Sequence, residues 1–311
     1  MALAPIPRVD IRTMTATTEH IDIGRIGVWT GILDAHATSV AQDAVRTLES
    51  LGFGTLWIPE AVGRDPFVAS ANYLAATTTL KLATGIANIY ARDPMTTAAC
   101  QKTLAEAYPG RFLLGLGVSH KHLGFNVRKH DYSKPLQYMR DYLAAMQSAL
   151  FMAVGPSEDP GLVIAALGPK MLELAATQCA GAHPYFTTPE HTATARQIMG
   201  PKALLAPEQM VVLETSPERA RAVARTGMSV YLRAPNYLNN LLRLGFSEAD
   251  FADGGSDRLV DAVVAWGSLQ DIKARVQAHH DAGADHVCVQ VLRADREVPL
   301  VEWRELAGAL L

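Results

Sequence analysis

Long hydrophobic runs are missing from this sequence. No apolar stretch approaches the ~18 residues that span a bilayer. The opening residues also lack the charged start, apolar stretch and small-residue cleavage site of a secretory leader. A cytoplasmic protein with no membrane partner is expected. Cysteine is scarce, and Cys100, Cys179 and Cys288 form no C-x-x-C, which excludes a zinc knuckle and a disulfide framework. Charge of one sign is not in excess: 28 Lys and Arg against 31 Asp and Glu leave a net −3 and no basic field for a nucleic acid backbone. Aromatic residues are only 7%, yet 49% hydrophobic and 19% charged residues suffice for a full core and exclude a disordered chain. The 311 residues suit one α/β barrel of ~250 residues with additions.

Several catalytic signatures are absent too. Without G-x-x-x-x-G-K-[ST], H-E-x-x-H or G-x-S-x-G, the P-loop, zincin and nucleophile-elbow chemistries lack their starting residues. Gly115-Leu-Gly-Val-Ser-His120 begins like a dinucleotide fingerprint, but His120 stands where a third glycine must let helix and strand pack closely. His120 and His122 have no carboxylate nearby in sequence, so they read as polar loop histidines and no metal is expected.

What is present is an alternation of short β-rich runs with amphipathic stretches of ten to eighteen residues, the pattern of parallel βα units. Residues 1–24 show no periodicity and read as a poorly ordered tail ahead of a single domain, 25–311. Eight strands are predicted at 25–29, 55–58, 80–89, 112–118, 162–167, 182–186, 209–213 and 286–292. Thr38 or Ser39 is expected to cap the first helix, and Leu136, Met139, Tyr142, Leu143 and Met146 form a core stripe on the fourth. Between strands seven and eight come helical patterns at 217–225, 236–244, 259–265 and 269–280, with no strand among them. The expected fold is a (β/α)8 TIM barrel with helical insertions between strands seven and eight.

Two segments stand out chemically. Ala165-Ala-Leu-Gly-Pro-Lys-Met171 passes from strand five straight into a helix through Gly168 and Pro169. Its free amides, the helix dipole and Lys170 suit a phosphate, although an ordinary tight turn has the same spacing. In Thr84-Gly-Ile-Ala-Asn88, a glycine inside a buried strand marks a bulge or a close approach to a ligand, and Asn88 is polar where a core residue belongs. A satisfied strand end is the plainer reading of the same residues.

With these segments in that order, the sequence resembles the bacterial luciferase-like superfamily from about Arg25 to Leu292, and within it the branch that uses the deazaflavin coenzyme F420. The resemblance rests on Leu56-Trp-Ile-Pro-Glu60, Gly63-Arg-Asp-Pro-Phe67, Thr84-Gly-Ile-Ala-Asn88 with Arg92-Asp-Pro94, and Pro109-Gly-Arg-Phe-Leu-Leu-Gly-Leu-Gly117. Gly168-Pro-Lys-Met171 and Gly181-Ala-His-Pro-Tyr-Phe-Thr-Thr-Pro-Glu-His191 are similar to a narrower, actinobacterial group. It implies a barrel, usually a homodimer, with the cofactor ring at the C-terminal mouth and a small-molecule substrate. Gly85 and Ile86 match the position where relatives hold a non-prolyl cis peptide against the ring, with Ala87 and Asn88 following. Glu60 matches an acidic position near the ring. Gly117, Val118 and Ser119 match a cofactor-contacting strand end, and Ala166, Leu167, Gly168, Pro169, Lys170 and Met171 its phosphate-side loop. For proton transfer the candidates are His183 and Glu60, then Tyr90 and His120, because a histidine titrates near ~6.5. FMN with oxygen and a partner reductase is the alternative chemistry, and a non-catalytic cofactor-binding barrel the alternative of another class. Val118, where some relatives carry an acid, and a short stretch at 151–161 depart from the pattern at the substrate pocket.

Overall fold

The computed structural model describes residues 22–120 and 131–311. Eleven short strands alternate with helices: β1 Ile26–Trp29, β2 Thr55–Ile58, β3 Lys81–Thr84, β4 Ala87–Asn88, β5 Phe112–Gly117, β6 Leu162–Ile164, β7 Gly181–Ala182, β8 Leu204–Leu205, β9 Glu208–Val212, β10 Val264–Trp266 and β11 Val287–Val291. The helices are α1 Thr38–Leu51, α2 Pro66–Ala75, α3 Pro94–Ala107, α4 Pro135–Gln147, α5 Pro169–Gln178, α6 Pro189–Met199, α7 Pro217–Met228, α8 Pro235–Arg243, α9 Asp257–Val263, α10 Leu269–Asp281 and α11 Leu300–Leu310. Proline opens every helix from α2 to α8. There its missing N–H costs nothing and its fixed φ is already helical.

All strand pairs are parallel, in the order β10-β9-β11-β1-β2-β3-β5-β6-β7-β8, with β4 on β5. The curl is TIM-barrel-like, because the chain from Leu204 to Val212 serves both ends of that order. Leu204, Ala206 and Glu208 donate to the carbonyls of Ala180, Ala182 and Pro184, while Pro207 accepts from Cys288 beside β11. Strand side chains alternate between the helical coat, such as Val28, Leu56, Leu82 and Leu114, and the barrel interior, such as Trp29, Trp57, Ala83 and Leu113. In the coat, Ala41, Ala44, Val45 and Leu48 of α1 are buried, the two larger ones contributing ~2 kcal/mol each.

Several boundaries differ from the sequence reading. Residues 1–21 and 121–130, including His122, lie outside the described residues. Asp22 to Gly24, assigned to the tail, are held by the barrel: Ile23 is buried, and its carbonyl accepts from Thr55 Oγ1 at 2.5 Å. Neither Thr38 nor Ser39 caps α1, whose cap position is Ala37. The run 80–89 is two strands, β3 and β4. Residues 264–265, read as the end of a helix, belong to β10, which pairs with β9, so the excursion after β9 does contain a strand. A short apolar run fits either structure, and only the open edge of β9 decides it. The terminal helix α11, to which the sequence reading assigns nothing, buries Trp303 and Leu306.

Candidate active site

The C-terminal end of β3 carries a bulge. Ala83 pairs with Leu113 but Ala87 with Leu116, so four steps on one strand face three on the other. Thr84 fills the gap in the ladder: its hydroxyl donates to Gly115 O at 2.6 Å and accepts from Gly115 N–H at 2.8 Å. Gly115 has to be glycine, since a Cβ there would lie 2.0 Å from Thr84 O. The Gly85–Ile86 peptide is cis, as the resemblance implies. Its groups are bonded on both sides: Gly85 N–H to Ile58 O at 2.8 Å, Glu60 N–H to Ile86 O at 3.1 Å, and Trp29 Nε1–H to Gly85 O at 3.0 Å. Ile86 is half-buried and rests on Gly117, where a Cβ would come within 2.5 Å of it.

Glu60 clamps this shelf. Its Oε2 accepts from Asn88 N–H at 2.8 Å, and its two oxygens face the Arg92 guanidinium at 2.8 and 3.0 Å. Arg92 also binds Asp65, the N-cap of α2. Burial raises the Asp65 pKa, but the hydrogen bond and charge of Arg92 together with the amides of Val68 and Phe67 outweigh it and leave the carboxyl below its ordinary value. Asn88 in turn accepts from Tyr90 N–H at 2.9 Å. Tyr90 stacks on Tyr138 at 4.6 Å, and burial pushes its hydroxyl up to about 12.

Below the shelf lies a packed polar layer. His183 is 1% exposed, stacks on Trp57 at 4.2 Å and binds Ala206 O through Nδ1 at 2.7 Å. A Cβ on Gly85 would stand 3.1 Å from His183 Nε2. Burial lowers the His183 pKa to about 4, so the ring is neutral at neutral pH. Glu208, on the inner wall, is fully buried with a pKa raised by burial to about 8. Its Oε2 accepts from Phe186 N–H at 3.3 Å. Nearby, the Tyr185 hydroxyl meets Tyr231 at 2.6 Å and Gln290 Oε1 at 2.7 Å, beside Trp29.

The opposite rim is built by the end of β5 and the start of α5. Val118, Ser119 and His120 are half-buried; Ser119, at φ +55°, turns the chain out of the strand, and its carbonyl accepts from Tyr132 at 2.8 Å. His120 lies 5.2 Å from the Tyr237 ring, with Nδ1 3.3 Å from Asn236 Oδ1, and burial lowers its pKa. Ala165 N–H bonds to Leu116 O, which ties β6 to this rim; Ala166 is buried and Leu167 half-buried. Gly168 is the N-cap of α5, Pro169 its first residue, Lys170 is exposed, and Met171 N–H turns back to Gly168 O at 3.0 Å.

These positions join Gly85, Ile86, Ala87, Asn88 and Glu60 to Gly117 through β4 and β5, with the α5 turn at the same end of the sheet. They separate the four proton-transfer candidates: Glu60 is ion-paired, Tyr90 stacked and His183 behind Gly85, while His120 stands on the half-open rim. The sequence reading missed Trp29, Glu208, Tyr185 and Gln290. For Trp29, Glu208 and Gln290 the signal was inward parity on neighbouring strands, which requires the register, whereas Tyr185 lies in the loop after β7.

The family described as luciferase-like monooxygenase matches residues 25–286. The chain belongs to that family. The luciferase-like chain is 26% identical over 195 residues to a Mycobacterium tuberculosis protein carrying the provisional name of a coenzyme F420-dependent oxidoreductase, covering 53% of this chain and 56% of that one. It thus spans about half the length of this curated relative. Among solved structures, an F420-dependent secondary alcohol dehydrogenase in complex with an F420-acetone adduct superposes with a TM-score of 0.75 at 14% identity, over 92% of this chain and 99% of that one. The oxygenating constituent of 3,6-diketocamphane monooxygenase of Pseudomonas putida, in complex with FMN, gives 0.68 at 13% identity, over 91% and 96%. Both superpositions establish the luciferase-like fold.

Proposed function

We propose that this luciferase-like chain is an oxidoreductase that works with coenzyme F420 and exchanges a hydride with a small organic substrate at the C-terminal mouth of its barrel. The observation that carries this reading is the shelf of Gly85 to Asn88, with Ile86 seated on a side-chain-free Gly117, at the same sheet end as the cationic start of α5. The F420-dependent names among its relatives support it. When bound, the deazaflavin supplies a ring carbon that carries a hydride and reacts poorly with oxygen.

The chain's own residues divide the remaining work. Gly85, Ile86, Ala87 and Asn88 would back the ring, Gly117, Val118 and Ser119 flank it, and Ala166 to Met171 take its phosphate side. Glu60 acts as an acceptor that holds the Asn88 amide, and Arg92 orients it, so it is a positioning residue. His183, neutral and shielded, supports Gly85 from behind. His120 is the candidate placed to exchange a proton with substrate, its lowered pKa favouring the neutral ring that accepts one.

Titration of the purified protein with F420 and with FMN tests the reading, followed by Trp fluorescence. Selective F420 binding with hydride transfer to a substrate panel is expected. Selective FMN binding moves the protein to oxygen-dependent chemistry, and binding of neither leaves a non-catalytic barrel. Gly117→Val is a sharper probe, because its side chain must push Ile86 off the shelf. It is expected to lower stability by about 1–3 kcal/mol and F420 affinity by at least about tenfold. Unchanged affinity with a folded variant removes the shelf from the cofactor site.

A further inference from the structure

Residues 230–244 leave the end of α7, pass through a single 3-10 turn at Tyr231–Arg233 and run into α8, which stands beside His120. Among the described residues, two hydrogen bonds join this stretch to the barrel. One is the 3.3 Å contact of Asn236 Oδ1 with His120 itself, and the other pairs the Tyr231 and Tyr185 hydroxyls at 2.6 Å. The second has a fixed direction. Gln290 Oε1 can only accept, so Tyr185 places its proton there at 2.7 Å, and Tyr231 is left to donate to Tyr185. Burial pushes the Tyr231 hydroxyl up to about 12 and holds Tyr185 well above its ordinary value, so both stay protonated at neutral pH.

The barrel end of this chain is rigidly held. Gln290 follows the inward parity of Cys288 on β11, and Tyr185 lies 4.9 Å from the Trp29 ring, whose Nε1–H holds the Gly85 carbonyl. At the other end, the Tyr231 ring meets Tyr237 edge-on at 5.4 Å, and both rest on Phe186 at 5.1 and 5.3 Å. Tyr237 in turn lies 5.2 Å from His120. The His120 pKa has two causes of shift, burial, which lowers it, and the Asn236 contact, which opposes that; no charged side chain among the described residues contributes.

We propose that Gln290, Tyr185 and Tyr231 form a latch that seats residues 230–244 on the mouth, which makes Tyr185 and Tyr231 positioning residues for His120. Packing of the buried Ala234, Tyr237 and Leu241 draws the stretch inward, but apolar burial is non-directional. The paired hydroxyls add the direction, and so fix where along the rim Tyr237 and Asn236 meet the imidazole. The part of His120 in proton exchange rests on the function proposed above, whereas the latch rests on the hydroxyl chain alone.

Tyr231 is half-buried, so Tyr231→Phe removes one oxygen and keeps the ring. Two measurements on the purified protein test the latch: NMR titration of His120, its resonance assigned with His120→Gln, and amide hydrogen exchange. In Tyr231→Phe the His120 pKa is expected to rise toward 6.5, as water reaches the ring. Amides of residues 235–243 should exchange about tenfold faster or more, while those of the barrel strands keep their rates. Tyr185→Phe should produce the same two changes, and the double variant no more than either, since each deletes the same bridge. With F420 and a substrate that is turned over, Tyr231→Phe should lower kcat about tenfold and move its acid limb to higher pH, with F420 affinity unchanged.

A folded Tyr231→Phe with the wild-type His120 pKa and wild-type exchange at 235–243 overturns the latch. Exchange quickened by one common factor in the strands and in α8 overturns it too, because the hydroxyl then adds only general stability. A shifted His120 pKa with unchanged kcat keeps the latch and removes His120 from proton exchange. Should F420 fail to bind, the proposed function falls by itself, and the titration and the exchange rates still decide the latch.

Discussion

Arg92→Met is expected to cost about 3–5 kcal/mol of unfolding free energy and to weaken cofactor binding with it. The side chains of Arg92 and Glu60 are 13% and 6% exposed, so deleting the cation leaves a carboxylate with little water to replace its partner. The same guanidinium holds Asp65 at the start of α2 and lies 5.0 Å above the Phe67 ring. Glu60 then loses the contact that orients it toward Asn88 N–H, and the shelf above β3 loses its clamp. Denaturant unfolding of Arg92→Met, Glu60→Gln and the double variant measures this. The double variant should be more stable than the single effects added together, because it leaves no charge stranded at position 60. A loss below about 1 kcal/mol in Arg92→Met would mean that the pair behaves as a solvent-exposed one.

Glu208→Gln is expected to change stability in a strongly pH-dependent way. Burial raises the Glu208 pKa from 4.5 to about 8 in the folded protein, and the Phe186 amide only partly offsets it. Between those values the folded state holds a proton that the unfolded state has lost, so wild-type stability falls as pH rises through that window. Glutamine keeps the shape and cannot ionise. The variant should match wild type near pH 4.5 and exceed it at pH 8 by on the order of 3–4 kcal/mol. His183, lowered to about 4, has the opposite slope between that value and 6.5, and it cancels in the difference between the two proteins. A wild-type to variant difference independent of pH would show that Glu208 is ionised in the fold.

The alternation of strands and helices, the prolines that open helices such as α2, α3 and α4 and the bulge at Gly85 were legible because each follows from local chemistry. Proline at a first helical turn, or a glycine in a buried run that ends on the polar Asn88, needs no partner to be understood. The resemblance to luciferase-like proteins added the position of the cis peptide and of the mouth. What could not be read was pairing. Residues 264–265 satisfy a helix pattern as well as a strand, and Asp22 to Gly24 show no periodicity, yet Ile23 is buried and its carbonyl serves Thr55.

The roles of the candidate residues divide along the same line. Sequence alone determined the parallel alternation of strands and helices, since periodicity and turn chemistry are properties of neighbours in the chain, while the segments expected at the mouth were implied by the resemblance. Only the tertiary structure decided that Glu60 is committed to Arg92 and Asn88, that His183 lies behind Gly85, and that His120 stands on the rim. Burial and ion pairing set what a carboxylate or imidazole does, and both depend on contacts between residues far apart in the chain.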